Sequence, residues 1–258
     1  MPAHEGMPAL IGQVVHYKED LAARLTFLLP EDYLAEEMLF PMLNELTCWA
    51  GEMGAFSIQC ELNENHAAFN SFRRAGFAVF AWQHIWKLPQ NINEAPEGDN
   101  PWVEYRDVDE ASIHSLYQSV VPPLVQGNEN PMPARSSAWL VHRGDDVVAY
   151  AEGIFGTQGV LLNTIFHPEI ENNRDLILQL AERLPRLGRP VYMAVRLYQA
   201  HIEHALGEIG AEHSPMKALL VKHLTNPLKV EALERQRKVL EVRHAEPTAP
   251  MIRNANGK

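Results

Sequence analysis

The spacing of apolar residues changes period several times along the chain. Alternating or continuous short apolar runs read as strands. They are "LIGQVVHY" from Leu10, "AARLTFLL" from Ala22, "FSIQCEL" from Phe56 and "FAVFAWQHIWKL" from Phe77. Between the second and third, Tyr33 to Met53 carries apolar residues at helical spacing and predicts a long helix. A short helix is predicted within "NHAAFNSFRRAGF", Asn65 to Phe77. There Asn65 is placed to cap the first turn, Ala68, Phe72 and Ala75 share one face, and Gly76 suits a left-handed stop. A polar stretch with three prolines, "PQNINEAPEGDNP", then reads as a linker. Beyond it come strand "WVEYRD", helix "DEASIHSLYQSVVPPLV" and strands "AWLVHR", "DVVAYAEGIF" and "GVLLNTIF". Helix "NNRDLILQLAERLPRL", strand "PVYMAVRLY", helix "AHIEHALGEIG" and strand "MKALLVKHL" complete the series. Strands alternating with helices define a layered α/β architecture.

The two series match each other. Gly54 and Gly188, and Gly76 and Gly210, each lie 134 residues apart. At that offset Phe72 falls on Leu206, and "FSIQCEL" falls on "PVYMAVR". Upstream, "TFLLPE" and "TIFHPE" align at an offset of 138. Internal duplication accounts for the pattern. The expected organisation is an incomplete first unit at 1–88, a linker at 89–101 and a second unit at 102–226. A charged helix and tail follow at 227–258. The first unit has no opening strand and helices to cover one face of its sheet. It therefore needs a cover, either by packing against the second unit or by pairing in a homodimer. The second unit, with the fuller set of elements, is expected to fold by itself.

Composition narrows the partners. Hydrophobic residues make up 46%, enough for a packed core, and the formal net charge is −11. That balance argues against nucleic acid and against anionic membrane surfaces, which both call for a basic footprint. No apolar run is long enough to span a bilayer, and no amino-terminal signal pattern is seen. Cys48 and Cys60 form no CxxC pair, so neither a zinc knuckle nor a disulfide framework is expected. The expected location is the cytoplasm.

The element order, with "N-x-x-A…F-x-x-x-G-F" carried by Asn65, Ala68, Phe72, Gly76 and Phe77, resembles the GNAT superfamily of N-acetyltransferases. The resemblance covers most of the chain as two copies, the motif being degraded in the second to Gln199 to Ala211. It implies two GNAT-like mixed-sheet α/β units, the first incomplete. It also implies acetyl-CoA or another acyl-CoA as cofactor, held in a cleft where two parallel strands splay apart. The acceptor would be an amine on a small molecule or a protein. In that family the pyrophosphate rests on a glycine-bearing loop at the start of the long helix. Here the segments that lead into the long helices, "LPEDYLAEEMLF" and "HPEIENNRDLIL", lack glycine and carry carboxylates. Those carboxylates suit a helix dipole but oppose a phosphate, so weak acyl-CoA binding is expected. The tyrosine that serves the family as general acid is replaced by Phe72 and Leu206.

Within this resemblance Glu152, on the strand "VVAYAEGIF", is the candidate general base. Ile165 and His167, at the end of the strand before the second long helix, are candidate cofactor contacts. So are Arg196 and Tyr198 on the neighbouring strand. Arg196 offers a fork of donors to phosphate or carboxylate, or else an ion pair at the sheet end. The loop Pro122 to Arg135 lies where an acceptor-binding segment would stand. His201, His204 and His213 fit no metal-ligand spacing, and no metal site is expected. Two functions follow: an acyl-CoA-dependent N-acyltransferase, or a catalytically inactive module that binds a metabolite or partner protein.

Overall fold

The computed structural model describes residues 10–17, 20–30, 36–90, 99–129, 137–184 and 188–224. For residues 36 and 37 only the backbone is described. The carboxylates that precede the first long helix, most of the linker and the expected helix and tail from 227 lie outside these residues.

The first series gives β1 (Ile11–Val15), β2 (Ala22–Leu29), helix α1 (Glu36–Glu52), β3 (Ser57–Asn63), the short α2 (Phe69–Arg74) and β4 (Ala78–Lys87). The second gives β5 (Val103–Glu104), α3 (Glu110–Val120), α4 (Pro123–Gln126), β6 (Ser137–Arg143), β7 (Asp146–Phe155) and β8 (Val160–Phe166). It continues with α5 (Asn173–Arg183), β9 (Val191–Arg196), a 3-10 turn (Leu197–Ile202), α6 (Glu203–Glu208), β10 (Glu212–His213) and β11 (Lys217–His223). The expected capping by Asn65 is not found. Asn65 is exposed, α2 begins after Ala68 without a side-chain cap, and the His66 ring accepts the Ala68 N–H at 3.1 Å instead. All four paired glycines, Gly54, Gly76, Gly188 and Gly210, have positive φ, the conformation only glycine adopts without strain.

Among the described residues all eleven strands form one sheet, in the order β1-β2-β3-β11-β4-β9-β8-β7-β6-β5, with β10 beside β4. Match β1, β2, β3 and β4 with β7, β8, β9 and β11, and the first eight strands of that order read the same from either end. The last strand of each series sits inside the other. β11 is held between β3 and β4, and β4 between β11 and β9. All of these pairings are antiparallel.

Side chains alternate across the sheet. On β11, Ala218 and Leu220 join a core under α1 and α2, whereas Leu219 and Val221 join one under α3. On β7, Ala149 and Ala151 join a third core under α5 and α6. One face therefore carries α1, α2, α5 and α6, and the other carries α3 and α4. The α3 core reaches across the exchanged strands to Phe80 and Ala81 of β4. It stops short of β1 and β2. There Gly12 and Leu28 turn toward α1, while Ile11, Phe27 and Leu29 face the other way and are 60%, 40% and 51% exposed. Trp102, fully buried, anchors the start of the second series by donating its indole N–H to the Leu176 carbonyl at 2.9 Å. No helix among the described residues is long and apolar enough to cross a membrane.

The exchange makes the independent folding of each unit a direct question, because β4 supplies the partner of β9 and of β11. A fragment Met1 to Gln90 lacks β11, and a fragment Asn100 to Asn226 lacks β4. Each is expected to give a poorly dispersed amide-proton NMR spectrum alone, and the co-expressed pair a dispersed one. A dispersed spectrum from either monomeric fragment would contradict the exchange as a folding requirement.

Candidate functional site

Two parallel pairs open in the same sense. β2 pairs with β3 only over Ala22–Arg24 and Ser57–Gln59, although both strands run on. β8 pairs with β9 over Val160–Asn163 and Val191–Ala194 and then parts from it. Splayed parallel strands leave backbone N–H and C=O groups along each inner edge, and such groups need partners.

The second cleft is filled from within. Gln199 interrupts the 3-10 turn with φ −109° and ψ 24°, and its side chain is fully buried. Its Oε1 accepts the Phe166 N–H at 2.9 Å, and its Nε2 donates to the Thr164 carbonyl at 2.8 Å. The carboxamide thus replaces the ladder residue that β9 would have offered at this point. Burial holds the His201 pKa below the ordinary histidine value, with the Phe166 backbone opposing the shift and His167 adding to it. In the first cleft no described side chain does the same. Asn65, which stands where Gln199 stands in the second series, is one methylene shorter and is exposed.

The cofactor candidates surround the second cleft. Ile165 is buried in the α3 core, so only its backbone could face a ligand. His167 follows β8, donates its N–H to the Val148 carbonyl at 2.9 Å and accepts the Glu169 N–H through Nδ1 at 3.3 Å. Glu152 lies on β7 opposite Asn163, the last β8 residue paired with β9. Tyr198 packs against the α3 core, and burial raises its hydroxyl pKa, with Glu129 adding to the rise and Arg196 opposing it.

Arg196 is engaged in a polar row across the exchanged strands. Glu129, just past α4, takes its Nε at 3.0 Å and its Nη2 at 2.9 Å on one carboxylate oxygen. Its Nη1 donates to Gln83 Oε1 on β4. Gln83 in turn donates to Glu61 on β3 at 2.7 Å, and Glu61 pairs with Lys217 of β11 at 2.6 Å. Gln83 is buried and the ion pairs lie at the ends of the row. Tyr117 on α3 donates its hydroxyl to the Glu129 carbonyl at 3.0 Å, and burial first, then Glu129, pushes its pKa up to about 12. Gln59 of β3 donates to the Asn128 carbonyl, so the start of the Pro122–Arg135 loop is tied to the first series, while 130–136 lie outside the described residues. On the opposite face His84 of β4 meets Glu203 of α6 at 2.9 Å.

Sequence reasoning singled out Arg196 but missed Gln199 and the polar row. The available signal for Gln199 was its alignment with Asn65, a longer amide at the same place. Phe72 on α2 and Leu206 on α6, which the sequence aligns with each other, are both core residues, 1% and 0% exposed. Among the described residues no group of three or more His, Cys, Asp or Glu could hold a metal ion.

Known proteins share this geometry without sharing its sequence. No family model matches the chain, and no curated protein does. Solved structures do. A GCN5-related N-acetyltransferase from Kribbella flavida superposes with a TM-score of 0.52 at 12% identity, covering 85% of this chain and 89% of that one. An acetyltransferase from Pyrococcus horikoshii, itself assigned only provisionally, gives 0.51 at 9% identity, over 83% and 69%. A conserved protein of unknown function from Staphylococcus epidermidis gives 0.54 at 8%, over 79% and 85%. The chain therefore has the GNAT fold, an α/β architecture with one large mixed sheet.

The His201 ring and the polar row are each expected to have a measurable effect on stability. His201 is held neutral in the folded chain, so its contribution is complete above the unfolded histidine pKa and is lost as pH falls through the lowered folded value. The wild-type Tm is expected to fall between pH 7 and pH 5, and His201→Gln is expected to flatten part of that slope in differential scanning calorimetry. An unchanged slope would exclude His201 as a source. Arg196→Ala removes charge-assisted bonds from a half-buried row and is expected to cost ~2 kcal/mol in urea unfolding. A cost within error of zero would mean that the row does not hold the seam.

Proposed function

We propose that the protein is an acyl-CoA-dependent N-acyltransferase of the GNAT type that works through one cleft, the one between β2 and β3. The observation that carries this reading is the contrast between the two splays. Gln199 satisfies the inner edge of β8, whereas no described side chain satisfies that of β2. On this reading the chain is a tandem of two related units. The incomplete first unit at 1–88 holds the site, and the unit at 102–226 braces it. The acceptor is an amine on a small molecule or a protein. Glu152, Ile165, His167, Arg196 and Tyr198, which surround the filled cleft, then have structural tasks. The cofactor is held weakly, with a Kd above about 1 μM, because the segment leading into α1 has no glycine and is acidic. The burial of Phe72 favours a second reading, a catalytically inactive module that keeps the cleft for binding.

Isothermal titration with acetyl-CoA and with free CoA tests the first reading. Hydrogen exchange measured by mass spectrometry then locates the site. Protection by acetyl-CoA is expected at Thr26–Leu29 and not at Thr164–His167, and Arg196→Ala should leave the affinity unchanged. Protection confined to Thr164–His167 would move the site to the second cleft. Absence of any heat or protection at millimolar ligand would overturn the transferase reading. Binding without release of CoA in the presence of a panel of primary amines would leave the inactive module.

A further inference from the structure

We propose that the cleft between β8 and β9 is a carboxamide-binding site whose resident ligand is the chain's own Gln199. The Thr164 carbonyl and Phe166 N–H lie on one strand edge at the spacing that a parallel neighbour would span. One planar group that both donates and accepts completes the edge, and a carboxamide is the smallest common group that does so. Gln199 fills this role with bonds of 2.8 and 2.9 Å at zero exposure. The residue pays for its position with a break in the 3-10 turn, where Gln199 alone departs from helical φ and ψ. The flanking residues hold the turn in place. Ile202 is fully buried, and Glu203 is paired with His84.

The ligand class follows from the edge. A carboxylate could accept from Phe166 but would repel the Thr164 carbonyl, and an alkyl group would leave both unsatisfied. A neutral amide fits. The proposal concerns the second cleft and stands whether or not the first cleft binds acyl-CoA.

Gln199→Ala removes the atoms of one acetamide molecule, so acetamide is the probe. The variant is expected to melt about 5 °C or more below wild type, since two buried backbone groups lose their partner. Acetamide well above its Kd is expected to restore about half of that loss. It should leave unchanged both wild type and Leu178→Ala, a truncation at another buried position, on α5. The amide of Phe166 should exchange faster in the variant and slow again with acetamide. Equal shifts in Gln199→Ala and Leu178→Ala would overturn the proposal. Should Gln199→Ala fail to fold, Gln199→Glu gives an independent reading. Its protonated form can donate and accept, so the folded pKa is raised, and stability is present at low pH and lost as pH rises through it. Its Tm deficit relative to wild type should be smaller at pH 5 than at pH 7.5. The same deficit at both values would show that the edge does not select a neutral donor–acceptor group.

Discussion

Everything in this molecule depends on the exchange of two strands at the centre of its sheet. β4 and β11 lie side by side, each between its partner's strands. Neither series closes its own sheet, because the edge of β3 is completed by β11 and the edge of β9 by β4. An unpaired interior edge would strand a row of backbone donors and acceptors. The exchange removes that liability for both series at once. It also lets each series share cover with the other. The α3 helix covers part of the central strands on its own side and on the other, so one pair of opening helices serves much of the sheet.

The polar row is the second consequence. Glu61, Lys217, Gln83 and Arg196 come from four adjacent strands, two from each series, and sit on the face that carries α3. Apolar contacts tolerate small slips, but a chain of donors and acceptors does not. A shift of one residue would turn every member to the opposite face. The row thus fixes the register between series whose hydrophobic patterns are similar enough to permit alternatives.

Much of the fold was legible in the sequence because it rests on local signals. The strands, the long helices and the left-handed glycines are written in periodicity and in residues with restricted conformations. The matched glycines at Gly54 and Gly188 both take the left-handed conformation. The order of strands was not legible. Nothing in "FAVFAWQHIWKL" or "MKALLVKHL" says which neighbour each will take, since pairing across more than a hundred residues leaves no local trace. The site was harder still. Arg196 announced itself as a cation at a strand end, but its partners Glu129 and Gln83 are distant in sequence. Gln199 looked like a worn copy of Asn65, and one methylene of extra reach decided the difference. The cap at α2 was not legible either, since the Ala68 N–H is taken by the His66 ring.

The exchange has a bearing on synthesis. β3 leaves the ribosome with β2 already made, but β4 has no neighbour among the strands before it, and the strands that complete the two, β11 for β3 and β9 and β11 for β4, are translated more than a hundred residues later. At ~5–20 residues per second that interval is on the order of ten seconds. Over that time the apolar side chains of β4, Phe80 and Trp86 among them, have no permanent partner. The nascent amino-terminal half must therefore wait in an unfinished state.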